Sequence, residues 1–192
     1  MEACAQCNNP FCKGLSKGAR EKLCANAHRV TYKKRNEQVL FFDFRHILIV
    51  ESGFALMSRG YLADRQQGTD ILEPGSLVGI VQMYRKEHNV TLNFLPLEET
   101  TGCLVRLSLI EEMVEEYPDF AASVLREFSN RFSRVASKLA IHSYGTARQR
   151  LDFSQKRVEE LGVADLVTHE DLACLSGLSR VTVTKLLNSP HA

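Results

Sequence analysis

Short apolar runs separated by turn-forming residues occupy the chain from about residue 25 to residue 107. Residues 47–50 (ILIV) form a β-branched run that ends at Gly53, and residues 72–75 (LEPG) contain a Pro-Gly turn. In residues 103–107 (CLVRL) the alternation of apolar positions predicts a strand with one buried face. Several short strands at this spacing predict a barrel or a sandwich.

The hydrophobic period then changes to that of helices. Ser108 and Glu111 have the spacing of a capping box, which predicts a short helix there. Pro118 is tolerated as the first residue of the next helix. Five residues of that helix, here called the apolar stripe, follow at spacings of three and four: Leu125, Phe128, Phe132, Val135 and Leu139. Such a stripe packs either on its own domain or on a copy of itself, and its narrow heptad form favours a homodimer.

Two short helices joined by a glycine-containing turn are predicted near the end of the chain. Thr168 begins the first in a capping motif, with Asp171 in place of the usual Glu. Ser179 caps the second after a connection that contains Gly177. This arrangement predicts a helix-turn-helix. Its helices are expected to meet at small or apolar residues, namely Ala173, Leu178 and Val183.

Composition narrows the class of protein. The 192 residues suffice for one or two domains, and 24 basic against 23 acidic residues leave a net charge of +1. That balance argues against a strongly basic nucleic-acid coat, but a local basic face remains open. We expect a cytoplasmic protein, because no membrane-length apolar run or secretory signal is visible. We expect no enzyme, because no nucleophile–base pair, paired carboxylates or phosphate loop is visible.

Six cysteines are the unusual part of the composition, and three of them fall in the first twelve residues. In a reducing compartment persistent disulfides are not expected, and clustered cysteines more often bind a metal or sense redox state. Cys24 and Cys174 stand at apolar helical positions and are expected in the core, although Cys24 could replace a ligand.

The order of these features resembles the CRP/FNR family of bacterial transcription regulators. Residues 172–183 are very close to the helix-turn-helix of that family, and residues 72–79 (LEPGSLVG) look like its sensor turn. Arg150 and Leu151 match the pair at the entrance to its DNA-binding domain. The resemblance implies an α+β fold with a β-roll sensor domain (a jelly roll of the cyclic-nucleotide-binding kind), a long dimerisation helix and a helix-turn-helix domain.

The resemblance also implies domain bounds. They are a Cys-rich cluster-binding arm over 1–24, the β-roll sensor over 25–117, the dimerisation helix over 118–145 and the DNA-binding domain over 146–192. The last domain departs from the family, because Pro190 would stop the helix and the sequence leaves no room for a complete β-hairpin wing. It also has six basic against six acidic residues, so we expect weak DNA affinity.

The FNR branch of the family resembles this chain better than the cyclic-nucleotide branch. Gly79 is followed by Ile80 and not by the Glu of a Gly-Glu pair, so no cyclic nucleotide is expected. The resemblance implies an oxygen-sensitive [4Fe–4S] cluster on four thiolates, although the second cysteine gap is one residue short of the best-known pattern. The implied ligands are Cys4, Cys7, Cys12 and Cys103. Zinc binding and a reversible disulfide remain alternative hypotheses for these thiols.

In this interpretation the cluster controls dimerisation, which sets two recognition helices about one DNA turn apart. The expected DNA-binding residues are Ser179, Arg180, Val181, Thr182, Thr184 and Lys185. Arg180 can bond guanine, whereas Val181 stands where the family commonly has Glu and can pack on a thymine methyl. The expected partners are a second copy of the chain and palindromic, A·T-rich double-stranded DNA, and RNA polymerase is a further partner that the family allows. A competing hypothesis is a dimer that does not act on DNA and titrates a full-length relative.

Overall fold

The computed structural model describes residues 9–36, 38–40, 45–62, 65–80 and 92–189. The helices in these ranges are α1 (Pro10–Lys13), α2 (Lys17–Asn26), α3 (Leu107–Glu116), α4 (Pro118–Tyr144), α5 (Ala147–Glu160), α6 (His169–Ser176) and α7 (Arg180–Asn188). The strands are β1 (His28–Tyr32), β2 (Gln38–Leu40), β3 (His46–Ser52), β4 (Ala55–Leu62), β5 (Arg65–Leu72), β6 (Leu77–Val78), β7 (Leu92–Pro96) and β8 (Thr100–Arg106).

The strands form two four-stranded sheets, in the orders β1-β8-β3-β6 and β2-β7-β4-β5. Every pairing is antiparallel, and Ile49 of β3 stands opposite Cys103 of β8. Between the sheets lies an apolar core that includes Leu48, Val50 and Phe94, each at most 1% exposed. These sheets and the helices confirm the predicted α+β fold with an N-terminal β domain and C-terminal helices.

Both sheets are also covered on their outer faces, which differs from the one-sided burial that the alternation in residues 103–107 predicted. Ile47 and Ile49 of β3 pack outward against α1, α2 and Phe120 of α4. On β8, Leu104 packs into the core between the sheets and Cys103 packs outward. The N-terminal and C-terminal helices thus lie on opposite outer faces of the sandwich.

The C-terminal helices pack on the second sheet. Leu56 of β4 and Ile71 of β5 share an apolar cluster with Leu151 of α5 and Val183 of α7. Gly68 of β5 allows this close approach, because a Cβ atom there would lie 3.1 Å from the Cys174 carbonyl oxygen of α6. None of the helices in the described ranges is long and apolar enough to cross a membrane.

One predicted helix cap is wrong. Helix α3 begins at Leu107, its N-cap is Arg106, and no side chain caps it. The strand β8 continues to Arg106, where it pairs with His46 of β3. Because strand pairing holds the chain up to that residue, the helix starts at once and Ser108 lies inside its first turn. Pro118, by contrast, is the first residue of α4, as predicted.

Candidate nucleic-acid interface

The first helix of the predicted helix-turn-helix is fixed by a complete capping box. The Thr168 hydroxyl oxygen accepts from the Asp171 backbone N–H at 3.2 Å, and the Asp171 carboxylate accepts from the Thr168 backbone N–H at 2.7 Å. Asp in place of Glu therefore still closes the box, which confirms the predicted start of α6. Two of the four free N–H groups at the helix start are satisfied in this way.

The turn between the two helices depends on Gly177. Its φ of 64° ends α6 in the left-handed region, where a side chain costs energy and glycine does not. The two helices then meet at Ala173 and Val183, which are 4% and 0% exposed, and Leu178 packs against the same cluster. All three predicted contact residues are thus in the interior of the motif.

Helix α7 presents its first turns to solvent. Arg180, Val181 and Lys185 are exposed, and Val181 keeps 64% of its surface free. The Ser179 hydroxyl accepts from the Thr182 backbone N–H at 3.1 Å and lies 2.8 Å from the Thr182 hydroxyl. The exposed side chains are therefore one arginine, one lysine and one aliphatic group, on a helix whose other face is buried. That combination can meet phosphates, a guanine edge and a thymine methyl.

The remaining predicted contact, Thr184, is partly occupied within the motif. Its hydroxyl lies 3.1 Å from Nδ1 of His169 on α6. The pair links the start of α6 to the middle of α7, a role that the sequence did not predict.

The apolar stripe lies on the exposed side of α4. Leu125, Phe128, Phe132, Val135 and Leu139 are exposed by 64%, 43%, 65%, 44% and 67%, respectively. The rings of Phe128 and Phe132 stack with centroids 6.4 Å apart. The alternative, in which the stripe packs on its own domain, is therefore not what the described residues show, and the homodimer stays a prediction.

Basic side chains on another face of α4 hold it to the β sandwich. Arg131 donates to the Leu77 carbonyl, Arg134 Nε lies 2.8 Å from Asp70 Oδ2, and Lys138 donates to the Gly68 carbonyl. These contacts fix the rotation of the helix about its axis, so that the stripe points away from the sandwich.

Two of the four predicted thiolate ligands meet in one apolar cluster. Cys12 of α1 is 4% exposed, and Cys103 of β8 packs against the same cluster beneath α1, α2 and α4. Both residues carry thiols. Cys4 and Cys7 lie outside the described residues. Among the described residues no group of three or more Cys, His, Asp or Glu side chains converges as a metal site.

The two cysteines predicted in the core differ from each other. Cys174 is half-buried against the cluster of the C-terminal helices, and burial raises the pKa of its thiol, so it fits a structural role. Cys24 is half-buried and disulfide-bonded, which corrects the prediction of a core cysteine.

An ion pair between distant parts of the chain was not predicted. Arg35, between β1 and β2, donates from one guanidinium nitrogen to both carboxylate oxygens of Asp171, at 2.9 and 2.8 Å. It also donates to the Leu166 carbonyl. Asp171 thus caps α6 and also binds the segment between β1 and β2. Arg35 has a left-handed φ of 59°, and no sequence pattern beside it indicates this pair.

No family model matches this chain. The cyclic AMP receptor protein of Thermus thermophilus is 24% identical over 149 residues, which are 74% of this chain and 67% of that protein. The c-di-GMP-responsive regulator CLP of Xanthomonas campestris superposes with a TM-score of 0.75 at 15% identity, covering 90% of each chain. A protein of Eubacterium rectale described as a crp/fnr-family transcriptional regulator gives a TM-score of 0.69 at 16% identity, covering 93% of this chain and 84% of its own.

The chain has the fold of CRP/FNR-type transcription regulators. In this CRP/FNR-type fold the β sandwich comes first, α4 is the long helix that follows it, and α6 and α7 form the helix-turn-helix. Two of the similar proteins are named for a cyclic nucleotide. That this chain binds no cyclic nucleotide stays a prediction based on Gly79 and Ile80, because residues 81–91 lie outside the described residues.

Proposed function

We propose that this chain is a DNA-binding transcription regulator of the CRP/FNR type that acts as a homodimer. The observation that carries the proposal is a folded helix-turn-helix whose second helix exposes Arg180, Val181 and Lys185. A helix of this kind enters the major groove with its N-terminal residues at the base edges. Its burial on one face and exposure on the other match that use.

The apolar stripe supports the homodimer. Five large apolar side chains at heptad spacing remain 43–67% exposed on one side of α4. A second copy supplies the same spacing, so that each side chain can fit between those of its partner. A two-fold dimer through α4 would place two α7 helices on one face of a DNA duplex.

Each exposed residue of α7 has a distinct proposed role. Arg180 reads guanine through two hydrogen bonds, and Lys185 binds phosphate or guanine. Ser179 and Thr182 bind a phosphate near the start of the helix, where backbone N–H groups and the helix dipole favour an anion. Val181 packs on a thymine methyl, which shifts the half-site towards A·T.

Selection from random double-stranded DNA tests the proposal. The wild-type chain should enrich a palindrome whose half-sites lie about 34 Å apart. Arg180→Ala should lose about ten-fold or more in affinity for the selected site. Lys17→Ala, in an exposed position on α2 whose side chain is 89% exposed, is the matched control and should bind as the wild type does. A wild-type chain that enriches no sequence would refute the proposal and favour the titrating dimer.

We further propose that the cysteines of the N-terminal arm sense oxygen or redox state through a [4Fe–4S] cluster. Such a cluster uses thiolate ligands and supplies sensitivity to oxidation when bound. Cys12 and Cys103 fit this chemistry, since both are thiols packed against one apolar cluster that limits solvent access. Cys4 and Cys7 are the remaining proposed ligands.

The arm is placed to pass a change at these thiols to α4. Phe11, next to Cys12, packs edge to face on Phe120 of α4 with ring centroids 5.6 Å apart. The Ser16 backbone N–H donates to Asp119 in the first turn of α4. Two states of the thiols could therefore bias two positions of α4, and with them the apolar stripe.

Anaerobic purification tests the cluster. The expected result is a coloured protein with about four iron and four acid-labile sulfide per chain, bleached by air. Cys12→Ala and Cys103→Ala should each lower the iron content. Cys174→Ala is the matched control and should keep it, because this thiol lies in the other apolar cluster. A colourless protein that contains zinc would overturn the cluster in favour of a zinc site.

The disulfide at Cys24 favours a second candidate signal, reversible disulfide formation in the same arm. In that case the chain contains no iron, and two thiols form one S–S bond while molecular oxygen takes up their two electrons and two protons and becomes hydrogen peroxide. Mass spectrometry of alkylated peptides before and after air exposure separates the two signals. A Cys24 disulfide that forms on air exposure, in a protein that contains no iron when purified anaerobically, would support reversible disulfide formation.

A further inference from the structure

A cavity of about 240 Å³ lies where the sensor domain meets the C-terminal helices. It is lined by residues of β5, α4, α5 and α6, so both parts of the chain contribute to it. This cavity is separate from the apolar cluster of Cys12 and Cys103 and from the exposed face of α7. The proposed function uses neither the cavity nor its side chains.

The lining of the cavity is basic. It contains Arg134, Lys138, Lys156 and Arg157 against Asp70 and Glu160. The serine hydroxyls of α4, at Ser133 and Ser137, also line it, and both serines are exposed. Four cationic groups, two anionic groups and several hydroxyls form a surface suited to an oxyanion.

Most of these charges are paired within the described residues. Arg134 Nε lies 2.8 Å from Asp70, and Arg157 Nη2 lies 2.7 Å from Glu73, which stands outside the lining. Lys156 approaches Glu160 at 4.0 Å on the exposed side of the cavity. Lys138 is the exception, since its described contact is a hydrogen bond to the Gly68 carbonyl, which is neutral.

Lys138 is the cation of the cavity that the described residues satisfy least. Burial lowers the pKa of Lys138 to about 8, which means that its ammonium form loses more hydration than its neighbours return. Arg157 Nε is buried and makes no direct hydrogen bond to the described residues, but Asp70 Oδ1 lies 3.5 Å from it, and Glu73 and Asp70 raise the pKa of Arg157 despite its burial. The hydrogen bond of Lys138 to a neutral carbonyl and its place in the cavity lining therefore favour Lys138 as the contact for a bound acceptor with negative charge.

We infer that this cavity binds a small anionic metabolite through an oxyanion group, with Lys138 as its principal cationic contact and Ser137 beside it. A volume of about 240 Å³ suits a small phosphorylated or dicarboxylic compound. Because the ligand would touch both the sensor domain and the C-terminal helices, it would favour one arrangement of the two. That consequence rests on the proposed function, whereas the binding itself does not.

Calorimetric titration of the full-length chain tests the site. Inorganic phosphate and malonate are the two probes, and sodium chloride of equal ionic strength is the blank. Saturable binding of phosphate alone would identify the phosphoryl class, and binding of malonate alone would identify the dicarboxylate class. Binding of neither probe above the salt blank would overturn the inference.

Variants locate the binding. Lys138→Gln should weaken it by about ten-fold or more, as expected for loss of a charge-assisted hydrogen bond. Ser137→Asp, at an exposed position that should not affect folding, should abolish it by repulsion. Lys17→Gln removes one positive charge from an exposed site outside the cavity and should bind as the wild type does. Equal weakening by Lys17→Gln, or unchanged binding by Lys138→Gln and Ser137→Asp, would contradict the inference.

A gel shift in the presence of the bound probe separates this inference from the proposed function. If the probe binds but the chain shows no specific DNA binding, the cavity stands and the proposed function fails. If the probe binds and changes DNA affinity in the wild type but not in Lys138→Gln, both stand.

Discussion

Replacement of Phe132 by alanine tests the role of the apolar stripe quantitatively. Phe132 is 65% exposed, so the change should leave the monomer folded and act on association alone. A fully buried phenylalanine covers on the order of 200 Å², and the exposed part of this ring therefore offers roughly 130 Å² to a partner. At about 25 cal/mol per Å² that area corresponds to about 3 kcal/mol, of which alanine would retain a part.

The loss occurs twice in a two-fold dimer. If each copy loses about 2 kcal/mol, the dimerisation free energy weakens by about 4 kcal/mol, and the dissociation constant rises roughly a thousand-fold. Sedimentation equilibrium over a concentration series measures this constant directly. Tyr144→Ala is the matched control, because Tyr144 is an aromatic residue of the same helix, 92% exposed and outside the stripe. Equal dissociation constants for the wild type and Phe132→Ala would refute the assignment of the stripe to dimerisation.

Four further predictions follow from single side chains. Between pH 8 and 10.5 the unfolding free energy of the wild type should rise relative to that of Lys138→Met by up to about 3 kcal/mol, because Lys138 loses its proton at lower pH when folded than when unfolded. Chemical denaturation at several pH values measures this difference. Curves of unfolding free energy against pH that run parallel for the two proteins would contradict it. Gly177→Ala should lower stability by about 1 kcal/mol, owing to the left-handed φ of that residue, and an unchanged melting temperature would count against it. Arg35→Ala should lower the free energy of unfolding measured in urea by about 2 kcal/mol, because the side chain of Asp171 is 5% exposed and loses its cation. A decrease below about 0.5 kcal/mol would contradict a stabilising role for the pair. Val181→Glu should move the preference at one base pair from thymine to a base with an exposed amino group. Competition with single-base variants of the selected duplex measures this preference, and an unchanged preference for thymine would contradict the role of Val181.

The helix-turn-helix could be predicted from the sequence because its determinants are local. Thr168 and Asp171 are three residues apart, Gly177 marks the left-handed turn, and Ser179 caps the next helix. Each of these residues acts on backbone groups within one turn of itself, so spacing in the sequence is enough to identify it. The apolar stripe was equally visible, because heptad spacing defines one side of a helix.

The contacts between distant segments could not be predicted in this way. The partners Arg35 and Asp171 are separated by 136 residues, and no pattern near Arg35 marks it as more than one member of a basic segment. Similarly, the outward packing of Cys103 depends on α1 and α2 covering β8, which period-two alternation alone does not reveal. These features depend on how elements pack, and the sequence specifies that only collectively.

Two capping patterns show the limits of local signals: one did not set a helix start, and the other was overlooked. Ser108 and Glu111 have capping-box spacing, but strand pairing of Arg106 with His46 sets the start of α3. Conversely, Thr146 and Gln149 form a complete capping box at the start of α5, and the T-x-x-Q pattern could have identified it. A capping pattern predicts a helix start only where the preceding residues are free to take up the cap.

Hydroxyl-radical footprinting of the full chain on its selected palindrome tests the central claim most directly. A homodimer that reads DNA through α7 should protect two symmetric segments on one face of the duplex, with their centres about one helical turn apart. Phe132→Ala should lose both protections together at concentrations that saturate the wild type, and Arg180→Ala should weaken them. Protection of a single half-site by the wild type, or no protection on any selected duplex, would contradict the account.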